Sequence, residues 1–133
     1  MNLYSAFKTN TDLVNDGVWY AVAYDENEQP IEFKIAHMGQ SNTEYTKALG
    51  EMVSGPSVTD AMSRAMMRKI FCKHLIKDWR NVQNEAGEPL QYSPDVAYGL
   101  MNDLPELYQA LFVFAKDLDN YLESKVEAAV KNS

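Results

Sequence analysis

Cys72 and His74 form a C-x-H arrangement, the closest spacing of soft metal ligands in the chain. Zinc wants four such ligands held tetrahedrally. On a helix, positions i and i+2 point about 200° apart, so this pair does not share an ion, and two further ligands are missing. Cys72 reads instead as a small core residue. His37 ends an alternating stretch and reads as a surface or turn residue rather than a base. Asp117 and Asp119, again two apart on a helical pattern, face away from each other and do not make the carboxylate pair of a glycosidase. Neither G-x-G-x-x-G nor G-x-x-x-x-G-K-S/T occurs, so no phosphate-cradling loop is signalled. Met52, Met62, Met66, Met67 and Met101 read as core filler, with an adaptable binding groove as the alternative. The expectation is a protein with no catalytic residues, no cofactor and no metal, working by interaction.

Charge gives that interaction two sides. Residues 64–80 hold six of the twelve bases, Arg64, Arg68, Lys69, Lys73, Lys77 and Arg80, against one acid, Asp78. Their net of +5 leaves −12 for the rest of a chain whose total is −7. Nine acids fall within residues 85–127, opposed by Lys116 and Lys125 alone. The basic face has three readings: pairing with the acidic helices inside one molecule or simple solvation, head-to-tail association or capture of an acidic partner, and nucleic-acid binding. The last is disfavoured, because so acidic a remainder repels a polyanion.

The positioning elements follow from periodicity. A chain of 133 residues, 46% hydrophobic and 23% charged, suits one globular domain over 1–133. The stretch VWYAVAY (18–24) and the alternating IEFKIA (31–36) flank a polar loop, giving a β-hairpin over about 18–36. Ser41 and Glu44 make a capping box for a helix over about 42–53. The strongest helical pattern, capped by Ser57, covers 58–80 with Met62, Met66, Ile70 and Met67, Phe71, Leu75, Trp79 in two adjacent rows. Ser93, Pro94 and Asp95 start a helix over about 94–102. Asp103, Pro105 and Glu106 start the last, over about 104–130, whose Leu107, Leu111, Phe114, Leu118 and Tyr121 form a seam for another helix. Beyond them the apolar set moves to Leu122, Val126, Ala129 and Val130. The expected fold is α+β and mainly helical: an N-terminal β-hairpin followed by a bundle of four to five helices. A single cysteine excludes an internal disulfide. The absence of a signal-peptide pattern and of any long apolar run reads as a soluble, cytoplasmic protein with no membrane association.

One connector is more specific. From Trp79, the sequence NVQNEAGEPLQYSPDVAYGLMNDLPELYQAL resembles the tail assembly chaperones of long-tailed phages with flexible tails. The matching positions are Trp79 as the end of a helix, Gly87, Glu88, Pro89 and Leu90 in an acidic turn, Tyr92, the Ser93-Pro94-Asp95 helix start, and the Leu104-Pro105-x-Leu107 step. The upstream GVWYAVAYDENEQPIEFKIAHMGQSNTEY is similar to that family's N-terminal hairpin and loop, so the resemblance covers about residues 17–115. It implies a non-catalytic role: coating and solubilising the tape measure protein and recruiting tail tube protein, in the host cytoplasm and outside the mature virion. It also implies a short product that shares its body with a longer frameshift product of the same gene. The motif residues look structural, and the helical seam fits a homo-oligomer. The alternative function is a small adaptor or regulatory domain that binds an acidic partner or nucleic acid through the basic helix 64–80.

Overall fold

A computed structural model describes residues 2–126 of the chain. Two short helices come first, α1 (Leu3–Ala6) and α2 (Thr11–Asp16), the second capped by the Asn10 side chain accepting from Leu13 N–H at 3.0 Å. Gly17 then turns the chain at φ +102°, where a Cβ would come within 3.1 Å of the Ile35 backbone. Only glycine lets the first strand start so close to its neighbour.

β1 (Val18–Tyr24) and β2 (Pro30–Ile35) pair antiparallel across a loop in which Asp25 Oδ1 accepts the backbone N–H groups of Asn27 and Gln29. β2 is central, and its other neighbour is β3 (Ile76–Arg80), also antiparallel. Tyr20, Phe33 and Trp79 lie in register across the sheet and face the core. Tyr20 stacks on Phe114 at 4.4 Å, and Phe33 meets Trp79 edge-on at 5.7 Å. On the opposite face the Arg80 guanidinium lies 3.7 Å over the Trp19 ring.

Between β2 and β3 run α3 (Thr43–Val53), α4 (Asp60–Ile70) and a π-helical turn, Phe71–Leu75. After β3 come α5 (Pro94–Asp103), α6 (Pro105–Lys116) and a 3-10 turn, Leu118–Tyr121. Phe71, Leu75 and Ile76 bury against Ala97 and Met101 of α5 and Leu111 and Ala115 of α6, all inaccessible or nearly so. Each large apolar side chain so buried stabilises by about 1.5–3 kcal/mol before entropy is counted.

This overturns the expected hairpin followed by a helix bundle. The fold is α+β with a three-stranded antiparallel sheet, and helices separate its second strand from its third. The error lies in reading 58–80 as one helix. Ile76 and Trp79 are three residues apart, a helical interval, yet both face the core from a strand. A bulge explains it: Phe33 opposes Trp79, Lys34 opposes Asp78 and Ile35 opposes Ile76, leaving Lys77 as the extra residue. A bulge resets the inward face by one position, so i and i+3 point the same way. Trp79 therefore belongs to a strand and does not end a helix.

The remaining boundaries differ by their caps. Asn42, not Ser41, caps α3, and Thr59, not Ser57, caps α4. Ser93 Oγ accepts Val96 N–H at 3.1 Å with Pro94 at the first helical position of α5. No side chain caps α6, where Pro105 occupies the first position and needs no N–H partner. The expected helix over 104–130 stops at Lys116, because Asp117 turns extended and its carboxylate accepts Asp119 N–H at 3.1 Å. The chain then returns to the N-terminal segment, with Asn10 N–H donating to Tyr121 O and Glu123 N–H to Lys8 O. The seam residues Leu111 and Tyr121 are fully buried within the chain. Ala129 and Val130 lie outside the described residues.

Candidate functional site

The connector after β3 is held to the core by its own motif residues. Trp79 is buried, its ring edge-on to both Phe33 and Tyr92, and its indole N–H donates to Leu90 O at 2.7 Å. Gln83 and Pro89 bridge antiparallel, closing a turn in which Gly87 takes φ +84°. Asn84 completes it, with Oδ1 accepting Glu88 N–H at 2.9 Å. The Tyr92 hydroxyl donates to Ile76 O and lies 3.2 Å from Cys72 O, so it ties the connector to both ends of the π turn. Burial pushes that phenol up to about 12. Leu104 stands at the elbow between α5 and α6 and is 48% exposed.

Two of the groups considered for chemistry, Cys72 and His37, are held in the core. Cys72 is buried, and desolvation pushes its thiol up to about 12 despite the nearby Arg68. His37 is not at the surface: it is buried, stacks on Tyr121 at 4.5 Å and donates from Nδ1 to Ala115 O at 2.9 Å. Asn42 lies beneath it, fully buried, with Nδ2 donating to His37 O at 3.0 Å. The alternating pattern that made Ile35 inward also ended at His37, and nothing local signalled that α6 would cover it. Among the described residues no group of three or more His, Cys, Asp or Glu side chains could hold a metal ion, and no helix is long and apolar enough to cross a membrane.

The six bases spread over three elements rather than one helix. Arg64, Arg68 and Lys69 are on α4, Lys73 is on the π turn, and Lys77 and Arg80 are on β3. Arg68 Nη1 donates to Asn102 Oδ1 at 2.6 Å with its guanidinium 5.2 Å over Tyr108, and the Lys69 ammonium sits 5.3 Å over Tyr98. Lys77 pairs with Glu44 at 2.8 Å, and Arg80 is 3.8 Å from Glu32. His74 Nδ1 stands 3.3 Å from the other Glu44 oxygen but off the line of a hydrogen bond. Lys77 above all, then His74, holds the Glu44 carboxyl below its ordinary range. Among the described residues no base of 64–80 pairs with an acid of 85–126. Intramolecular neutralisation of the acidic half, one reading of the charge pattern, is therefore not how these residues are placed.

Sequence reasoning missed a groove. Its floor is Val22, Ile31 and Phe33 of the sheet against Leu100, Leu104 and Leu107 of the α5–α6 elbow, enclosing about 350 Å³. It continues past Val96 and Gly99 into a second hollow of about 740 Å³. Its charged rim is Asp25, Glu85 and Asp103, with no Lys, Arg or His among the lining residues. Asn81 Nδ2, donating to Asp25 Oδ2 at 2.9 Å, is the main reason that carboxyl stays below its ordinary range. The signal in the sequence was there in part: Val96, Leu100 and Leu104 recur at i, i+4, i+8, off the core face set by Ala97 and Met101.

No curated protein and no solved structure matches this chain. The family described as YdaY prophage protein matches residues 16–132, which takes in the sheet, the connector and the groove, so the chain belongs to that family and is a phage-derived protein.

Proposed function

We propose that this prophage protein is a non-catalytic tail assembly chaperone. It coats and solubilises the tape measure protein and helps recruit tail tube subunits, acts in the host cytoplasm, and is left out of the finished virion. The observation that carries the reading is the Trp79–Leu107 connector, where the order Trp, G-E-P-L, Tyr, S-P-D, L-P-x-L resembles that chaperone family. Membership of a prophage family supports it. So does surface chemistry: an apolar groove and exposed Leu3, Tyr4, Phe7 and Val113 offer binding area, while Cys72, His37 and Tyr121 are engaged in the core. Many weak contacts along one long partner gain through effective concentration.

Co-expression with the tape measure protein of the same prophage tests this. The expected result is that the tape measure protein is soluble only when this chain is present and that the two co-purify. Failure to form a complex at moderate salt, with both proteins folded, overturns the reading.

A further inference from the structure

We infer that the acidic apolar groove takes the basic face of α4 from a second copy of this chain, building a head-to-tail assembly. This goes beyond the chaperone reading and needs only this protein. The argument begins with charge left over. The rim of the groove is Asp25, Glu85 and Asp103, and no base among the described residues lines it. The exposed side of α4 carries the opposite chemistry. Met62 is 53% exposed, Lys69 seven residues after it is exposed along the same stripe, Val58 is exposed just before the helix, and Lys73 is exposed on the turn that follows. Among the described residues none of these bases has a carboxylate partner.

The two surfaces do not meet within one molecule. On α5, Tyr98 and Asn102 touch Lys69 and Arg68 of α4. Gly99, Leu100 and Asp103, which line the groove, project from the other flank of the same helix. A base-rimmed apolar knob and an acid-rimmed apolar groove on opposite flanks match only between copies. Such an interface is heterologous, so it extends rather than closes on itself unless the rotation happens to make a ring. The apolar contact supplies the binding and the charges supply register and steering. Each added copy presents a fresh groove, a geometry suited to following an extended partner.

Two substitutions separate the surfaces without touching the core. Gly99 lies within α5, and a Cβ there meets nothing within 4 Å, so Gly99→Trp folds and fills the groove. Met62→Glu replaces an exposed side chain in the first turn of α4, where a carboxylate suits the helix dipole. Sedimentation velocity on the full chain, with circular dichroism to check folding, reads the outcome. Wild type is expected to assemble with rising concentration and to dissociate as salt is raised. Each variant alone is expected to stay monomeric to at least about tenfold higher concentration, the loss of one buried anchor. Mixed, they are expected to form a one-to-one dimer and nothing larger, because one still has the groove and the other still has the knob.

A wild type that stays monomeric at every concentration overturns the inference. So does assembly that survives either substitution, or a mixture that forms no dimer. If wild type is monomeric and Gly99→Trp abolishes capture of the tape measure protein, the groove belongs to that partner: the inference falls and the chaperone reading stands. If assembly behaves as stated and no tape measure protein is captured, the chaperone reading falls and the inference stands.

Discussion

The Trp79 indole N–H donates to the Leu90 carbonyl at 2.7 Å, joining an edge strand to a turn eleven residues downstream. That bond fixes where the connector leaves the sheet, and the turn it anchors forms one wall of the groove through Asn81, Gln83 and Asn84. Trp79→Ala removes the ring from between Phe33 and Tyr92 and should cost about 3–5 kcal/mol. Trp79→Phe keeps most of the packing but leaves the Leu90 carbonyl without its donor, for a smaller loss of about 1–3 kcal/mol. Urea unfolding followed by circular dichroism gives both values. Equal losses for the two variants would mean that the hydrogen bond contributes nothing beyond the ring.

Asn42 does three tasks in a fully buried position. Its Oδ1 accepts Tyr45 N–H at 3.2 Å to start α3, and its Nδ2 donates to His37 O at 3.0 Å and Val14 O at 3.4 Å. Asn42→Ala loses a helix cap, worth about 1 kcal/mol, and strands the His37 carbonyl at about 1–3 kcal/mol, while Val14 O keeps the His37 N–H. Asn42→Asp keeps the cap acceptor but turns a carboxylate oxygen toward two carbonyls. It should therefore destabilise at least as much as the alanine variant, although aspartate is as good a cap on an exposed helix. An Asn42→Asp protein as stable as wild type would place the amide elsewhere.

These two residues also mark what could be seen from sequence. Ser93-Pro94-Asp95 was legible because a helix start depends on a few consecutive side chains, and alternation made Phe33 and Ile35 inward-facing for the same local reason. Trp79 was misplaced because its bulge is a property of the pairing with β2, and no single strand carries it. The capping box pointed to Ser41 and left Asn42 unconsidered, although both residue types are good caps, and the depth of the site beneath His37 is what favours Asn42. The groove joins residues 22–33 to residues 81–107, so nothing local could reveal it. The six bases were legible as a charge cluster, but their division among a helix, a π turn and a strand was hidden by the same misread strand.

Glu44 links stability to pH. Its carboxyl is held below the ordinary value of 4.5, chiefly by the hydrogen bond from Lys77 and also by His74. Below that ordinary value the unfolded chain takes up a proton that the folded chain resists, so the contribution is present above it and is lost as pH falls through the lower, folded value. Because the Glu44 side chain is half exposed, solvent screens the pair and the effect is small. Lys77→Gln should lower neutral-pH stability slightly and leave stability at the acid end unchanged, so that the acid limb flattens. Unfolding midpoints measured from neutral pH down through this window check it. An acid limb as steep in the variant as in wild type would assign the acid sensitivity to other carboxylates.

Cys72 reports on opening of the whole connector. The thiol is buried, with the Cys72 carbonyl 3.2 Å from the Tyr92 hydroxyl, and burial raises it to about 12, whereas the thiolate is the species that reacts. A disulfide reagent at mildly alkaline pH should therefore modify the native protein slowly and one thiol per chain on unfolding, as the single cysteine requires. When closing is faster than labelling, the rate follows the population of the open state. Trp79→Ala should then accelerate labelling about tenfold for each 1.4 kcal/mol it removes, if Cys72 is exposed only by global unfolding. Acceleration much smaller than the measured loss of stability would show that the π turn around Cys72 opens locally, while β3 stays paired to β2.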